Sequence, residues 1–236
     1  MCQTTQNIID TIANSEKKTP VQAWVKGNFS KEDVQEFEFY QGVDFWILYS
    51  NWAQMEPWIQ VNKDRIESLR LEVDRRNSAI PLLDLLSIEA RIEPGAMIRD
   101  MVSIGKQSVI MMGAVINIGA SVGEHSMIDM NAVIGGRAVI GKHCHIGAGA
   151  VVAGVIEPAN AHPVVIKDHV LVGANAVILE GITIGDHSVV AAGAIVIENV
   201  PSHTVVAGAP AKIIKKVDEK TISKTSIEPS LRNLNT

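Results

Sequence analysis

A few side chains in this sequence stand where they could act on a substrate. Asp129 lies in the run MID; Glu157 precedes Pro158 in the irregular stretch AGVIEPANAHPVV; His145, His162 and His203 stand apart from four other histidines, His125, His143, His169 and His187, that recur at one phase. A carboxylate or a neutral imidazole can take a proton from an attacking amine. Among basic residues, Arg91, Arg99, Arg137, Lys142 and Lys167 follow or flank apolar positions in a way that turns them outward, and Arg137 closes a GGR triplet. A guanidinium holds a carboxylate through two parallel hydrogen bonds, so Arg137 and Arg99 are candidates for an anionic substrate. His143 and His145 are a weak zinc pair, and no metal is expected. A surface Asp or Arg that only meets water is the plain alternative for Asp129 and Arg137.

What positions these groups is a repeat. Every sixth residue from Ile92 to Val152, and again from Ile166 to Val196, is Ile or Val, 17 anchors in all. Four residues after each anchor the side chain is mostly small, as at Ala114, Ala132, Cys144 and Ala176, and three after it 13 of 17 residues are Gly, Asn or His. β-Branched anchors stack well on a pleated surface, small residues fit a tight interior corner, and Gly, Asn and His tolerate the positive φ that a turn every six residues demands. This is a hexapeptide β-solenoid with three hexads per coil. At about 4.8 Å per coil its 17 hexads predict fewer than six coils, roughly 27 Å tall. The four phased histidines are thereby explained as turn residues. Asp129 falls one past an anchor, a phase where seven of 17 hexads carry Gly, so its carboxylate is presented on the outer surface. The period breaks once: Val152 to Ile166 is 14 residues where two hexads would take 12, and loops of this kind in solenoids carry function.

Composition draws a second boundary. All ten aromatics lie between Trp24 and Trp58, while 16 of 18 glycines fall between Gly95 and Gly208. Residues 1–88 read as a small α/β domain with an aromatic core, including an amphipathic start at Ile8, Ile9 and Ile12 and a charged helix from Asn62 as N-cap to Arg76; acidic residues 32, 33, 36 and 38 read as a solvated face. Residues 89–211 read as the β-helix with a loop at about 153–165, and 212–236 as a helical tail. Among 236 residues, 21 Lys plus Arg against 26 Asp plus Glu give a net charge of -5, which speaks against nucleic acid as partner. Two cysteines, Cys2 and Cys144, make no disulfide framework, and no stretch has the length of a membrane span or a signal peptide. A cytoplasmic protein with no membrane partner is expected.

The ending AAGAIVIENVPSHTVVAGAPAKIIKK resembles that of coenzyme A dependent acyltransferases of the left-handed parallel β-helix class. Residues 79–163, with AIPLLDLLSIEARIEPGAMIRD, MIDMNAVIGGRAVIGKHCHIGAGAVVAGVIEP and the following loop, resemble more closely the tetrahydrodipicolinate N-acetyltransferases, as does the segment NKDRIESLRLEVDRRNSAIPLLD. That resemblance implies acetyl-CoA as co-substrate, an amino dicarboxylate as acceptor on the route to diaminopimelate and lysine, and a homotrimer with active sites between subunits. It implies that Asp129 meets the substrate amine, with Glu157 and His145 as further catalytic candidates and Arg137 and Arg99 for the carboxylates. Gly154, Ala174, Ala192 and Gly193 would line the cofactor, and Lys212, Lys215 or Lys216 would meet its phosphates. The second catalytic carboxylate of the related N-succinyltransferases has no counterpart in GANAVILEG. Rival readings are that succinyltransferase, an N-acetyltransferase of amino sugar nucleotides, a zinc enzyme resembling γ-type carbonic anhydrase, and a nonenzymatic scaffold.

Overall fold

The computed structural model describes residues 4–234, so Cys2 falls outside it. Two compact units emerge, Asn14–Ile80 and a second one formed by the residues up to Ala13 together with those from Pro81 onward. The boundary thus sits near residue 80, not 88, and the first helix, α1 (Thr5–Asn14), groups with the solenoid, where Ile8 is buried and lies over the Gly119 turn.

The smaller unit is an antiparallel sheet of β1 (Pro20–Gly27), β2 (Glu38–Gln41), β3 (Trp46–Asn51) and β4 (Ile66–Glu72) in the order β2-β3-β1-β4, with a short helix α2 (Lys31–Val34) and a longer one, α3 (Trp52–Asn62). Val21, Ala23 and Val25 alternate inward from β1 and meet Leu48, Phe37, Met55 and Trp58 in one core. The helix expected from Asn62 to Arg76 is absent: Asn62 ends α3, and residues 66–72 pair with β1. Ile66 and Leu69 pack on the aromatic core as strand residues, so tertiary pairing overrides a charge pattern that reads as helical. Asp33 likewise leaves the solvated face. Its carboxylate receives both ends of the Arg65 guanidinium, at 2.8 and 2.7 Å, and the Ser30 N–H at 2.7 Å, which hold its pKa well below the usual carboxylate range.

The larger unit is a parallel β-solenoid built from two-residue rungs on three faces. Face 1 stacks Arg91–Ile92, Val109–Ile110, Met127–Ile128, His145–Ile146, Leu171–Val172 and Val189–Val190; face 2 runs from Met97–Ile98 to Ile195–Val196; face 3 runs from Ser103–Ile104 to Thr183–Ile184. Each anchor lies over the anchor 18 residues away, as Ile128 over Ile110, and the interior anchors Ile110, Ile116, Ile128, Ile134 and Ile146 have no exposure at all. The irregular stretch is longer than two hexads plus two. Val152 pairs with Ile178 on face 2 and Ile140 with Ile166 on face 3, so the chain takes a single hexad step between Val152 and Ile166 and carries eight extra residues at that corner.

The turn phase holds throughout. Gly95, Gly113 and Gly149 follow face 1, and a column of His125, His143, His169, His187 and His203 follows face 3, every one at positive φ. The five rings stack with centroids 4.9, 4.9, 4.6 and 4.9 Å apart and planes within 9° of parallel. His203 therefore joins the turn histidines, a place hidden by the irregular spacing before it. Under this corner Ser108, Ser126, Cys144 and Ser188 are fully buried, and each donates to a carbonyl: Gly123, Gly141, Lys167 and Pro201. Burial pushes the Cys144 thiol up to about 12, which makes it a packing residue with no nucleophilic use.

Beyond the last coil the chain departs from the expected helical tail. Residues 211–216 form the second strand of an antiparallel hairpin with Thr204–Gly208, continuing face 1, and only then come α4 (Glu219–Thr225) and a 3-10 turn, Pro229–Arg232. The alternation AKIIKK gives a strand because its backbone completes the edge of face 1.

Candidate active site

Face 1 brings two of the candidates together. His145 opens a rung that pairs with Met127, and Asp129 follows Ile128 in that neighbouring rung, so the two side chains meet across successive coils. The Asp129 N–H donates to Ile146 O at 2.9 Å, which fixes the backbone in the ladder, and its Oδ1 accepts from the Met130 N–H at 2.8 Å. Oδ2 is left pointing at His145 Nε2, 3.7 Å away; the side chains are 21% and 29% exposed, enough for a small molecule to reach either. Burial lowers the His145 pKa, Asp129 opposes that shift, and the Arg232 charge adds to it. The imidazole is thereby kept neutral at neutral pH, the form that accepts a proton. In the column of Asp129, the next two coils carry Gly147 and Gly173, so the strip beside the carboxylate is bare of side chains.

The other candidates lie at different corners of the same solenoid. Glu157 is exposed in the inserted loop between faces 2 and 3, as is His162. Arg137, at positive φ on that corner, donates from Nη1 to Val155 O at 3.2 Å and so holds the loop's first residues. Gly154 packs its backbone so closely on Gly135 and Gly136 that a Cβ would collide with both. Arg99 follows Ile98 on face 2, half-buried, its N–H bonded to Ile116 O at 3.0 Å. Ala174, Ala192 and Gly193 form an exposed column on the corner between faces 1 and 2; Gly193 has φ +67 with open space where a Cβ would project. Lys212 reaches Glu198 at 3.5 Å on the terminal hairpin. A single chain thus divides the catalytic pair, the small-residue column and the loop with its arginine among three corners.

One charged group on face 1 escapes sequence reasoning entirely. Arg232, at the end of the tail, is 3% exposed, its Nε donating to His125 O at 2.8 Å and its Nη1 to Glu228 O at 3.0 Å. Nothing periodic marks it, because its place depends on a contact across 107 residues. Among the described residues no three His, Cys, Asp or Glu side chains gather as a metal would require, and no helix is long and apolar enough to cross a membrane.

Comparison with known proteins adds a family. The pattern described as tetrahydrodipicolinate succinyltransferase N-terminal matches residues 3–85, and two hexapeptide transferase patterns match 119–154 and 163–198. The 2,3,4,5-tetrahydropyridine-2,6-dicarboxylate N-acetyltransferase of Brevibacillus brevis is 58% identical over 229 residues, 96% of this chain and 97% of the relative. The enzyme of the same name from Thermotoga maritima is 58% identical across 97% of both chains. Among solved structures, perosamine N-acetyltransferase from Caulobacter crescentus, in complex with CoA and GDP-perosamine, matches at TM-score 0.50 and 28% identity, over 55% of this chain and 58% of that one. With nearly its whole length so matched, this chain belongs to the 2,3,4,5-tetrahydropyridine-2,6-dicarboxylate N-acetyltransferase family.

Proposed function

We propose that this protein transfers acetyl from acetyl-CoA to the amine of the open-chain form of tetrahydropyridine-2,6-dicarboxylate, a step toward diaminopimelate and lysine. The observation that carries this reading is the 58% identity over 229 residues to relatives of that name. The sugar-nucleotide enzyme shares 55% of the chain only, which favours the amino dicarboxylate as acceptor. A bound thioester supplies an activated acetyl carbonyl; this chain's part is to hold the amine neutral beside it. In this reading Asp129 faces the amine, with neutral His145 behind it as the alternative proton acceptor.

The corners that divide the candidates suggest how the site is completed. Threefold packing of solenoids would bring the Asp129 face of one protomer against another protomer's corner, and with it Glu157, Arg137 and Arg99 toward the acceptor's carboxylates. The exposed column Ala174, Ala192 and Gly193 fits a pantetheine lying close to backbone, and Lys212 is the cation for its phosphates once Glu198 yields it. We assign the enzyme to the cytoplasm, where CoA thioesters are made. The test is thiol release from acetyl-CoA and from succinyl-CoA with tetrahydrodipicolinate or 2-aminopimelate as acceptor. Turnover with acetyl-CoA is expected; turnover with succinyl-CoA alone would move the chain to the succinyl reaction, and silence with both would overturn the reading.

A further inference from the structure

Among the described residues two buried side-chain polar atoms have no hydrogen-bond partner, and both are guanidinium nitrogens on face 1, Arg232 Nη2 and Arg91 Nε. Arg91 opens the first rung of that face; its Nε lies 3.3 Å from Glu93 Oε1 without the alignment of a hydrogen bond, and its Nη2 turns to Met111 Sδ at 3.8 Å. Met111 stands in the same column as Asp129, one coil away, its N–H on Ile128 O as that of Asp129 is on Ile146 O. Arg232 arrives from the opposite side. Its tail is pinned by two caps, Asp218 accepting from the Thr221 N–H at 2.7 Å and Glu228 from the Ser230 N–H at 3.1 Å, and its guanidinium ends on His125 O, next to the Met127 rung.

The two cations are close enough to repel: burial first, and the charge of Arg91 second, lower the Arg232 pKa. No carboxylate is paired with Arg232. A guanidinium carries five donors, and here two are spent on carbonyls while the positive charge is desolvated and faces another. Burying a charge without a counter-ion is unfavourable, so the arrangement makes sense when an anion completes it. A carboxylate matches the fork of a guanidinium, and the strip next to these groups is the one bared by Gly147 and Gly173.

We propose that Arg232, delivered by the C-terminal tail, forms with Arg91 the receptor for the acceptor's distal carboxylate, beside the Asp129–His145 pair. This rests on the acceptor being an amino dicarboxylate, as argued above. The donor's phosphates share the anionic chemistry, but they lie a full pantetheine length from the carbon that reacts, whereas this pair flanks the group facing the amine. The tail is then a binding element, and the dicarboxylate is read by the last turn of the chain as well as by the coils.

The experiment compares 2-aminopimelate with 2-aminoheptanoate, which has a methyl group in place of the distal carboxylate, in the wild type, Arg232→Met, Arg232→Lys and Arg91→Met, with thermal melts to confirm folding. Hydrogen bonds to a charged group predict that Arg232→Met raises the KM for 2-aminopimelate about 10- to 100-fold, with acetyl-CoA KM within about twofold. The wild type should prefer the dicarboxylate, Arg232→Met should lose that preference, Arg232→Lys should keep part of it, and Arg91→Met should weaken it even if the tail variant fails to fold. Equal losses with both acceptors would mean a structural role and overturn the proposal, as would a change confined to acetyl-CoA. Should the wild type acetylate neither amine, the functional reading falls separately. Titration with pimelate then decides: binding to wild type weakened at least tenfold by Arg232→Met supports the receptor, and unchanged or absent binding overturns it.

Discussion

Faces 1 and 2 of the solenoid are written with the same hexads and meet water differently. The residue before each anchor points outward on both. On face 2, Met97, Val115, Val133 and Ile195 are 55, 37, 36 and 39% exposed; on face 1, Val109 and Met127 are 0 and 8% exposed. The chain's own tail explains part of the contrast, since α4 and the residues after it line a cavity of about 520 Å³ with Leu171 and Val189, and Arg232 continues as far as His125. A solenoid face is therefore apolar on its outer side by default. What distinguishes one face from another is what covers it, the tail within this chain on face 1 and, in our proposal, a neighbouring protomer on face 2.

Charge placed on each face breaks the comparison most sharply. Val115→Glu with Val133→Glu should leave the far-ultraviolet spectrum and Tm nearly unchanged but shift sedimentation from a trimer to a species near 25.5 kDa, with activity lost. Met127→Glu, at the same phase on face 1, should instead lower stability by about 3 kcal/mol, roughly 6 to 12 °C in Tm, because the carboxylate is buried within its own chain. Both variants behaving alike would mean that the two faces are covered in the same way. Next in size is chemistry on face 1. Asp129→Asn should lower the rate at saturating acceptor by about 100- to 10,000-fold while acetyl-CoA affinity holds. If Asp129→Asn keeps more than about a tenth of the activity and His145→Gln abolishes it, the roles within the pair are exchanged.

A pH profile sharpens the same point. The His145 pKa is lowered by burial, so its neutral form persists below the pH at which a solvent-exposed histidine would protonate. The acid limb of kcat/KM should then fall at lower pH than for an ordinary histidine, and Asp129→Asn, removing the charge that opposes the shift, should move it lower still. An acid limb at or above the ordinary histidine value would contradict this. The smallest effect is expected for Cys144→Ser, within about 1 kcal/mol by denaturant titration, since Ser108, Ser126 and Ser188 already serve the equivalent corner.

The solenoid was legible because its physics is periodic: anchors, small corners and positive-φ turns each recur every six residues, and so does the outward phase of Asp129. Its proximity to His145 was not, since that depends on which coil lies over which. The inserted loop was misjudged for a related reason. Fourteen residues divide equally well as two hexads plus two or one hexad plus eight, and only the pairing of Ile140 with Ile166 distinguishes them. His203 follows Val200, which is off the six-residue grid. The region of 62–76 showed how a run of charges imitates a helix when its strand partner is 45 residues earlier, and Arg232 belongs to a contact that local pattern does not encode.

Eight additional residues enter at one corner and the ladder resumes in perfect register, Val139 against Val165 just as Val133 lies against Val151. Length at that point is decoupled from alignment everywhere else. Closing a longer or shorter loop changes the free energy only slowly with length, by about 0.6 kcal/mol per doubling. Evolution can therefore exchange the insert as a cassette, remodelling what the corner presents to a neighbouring protomer while every coil above and below keeps its fold, and substrate preference in such proteins can drift faster than their architecture.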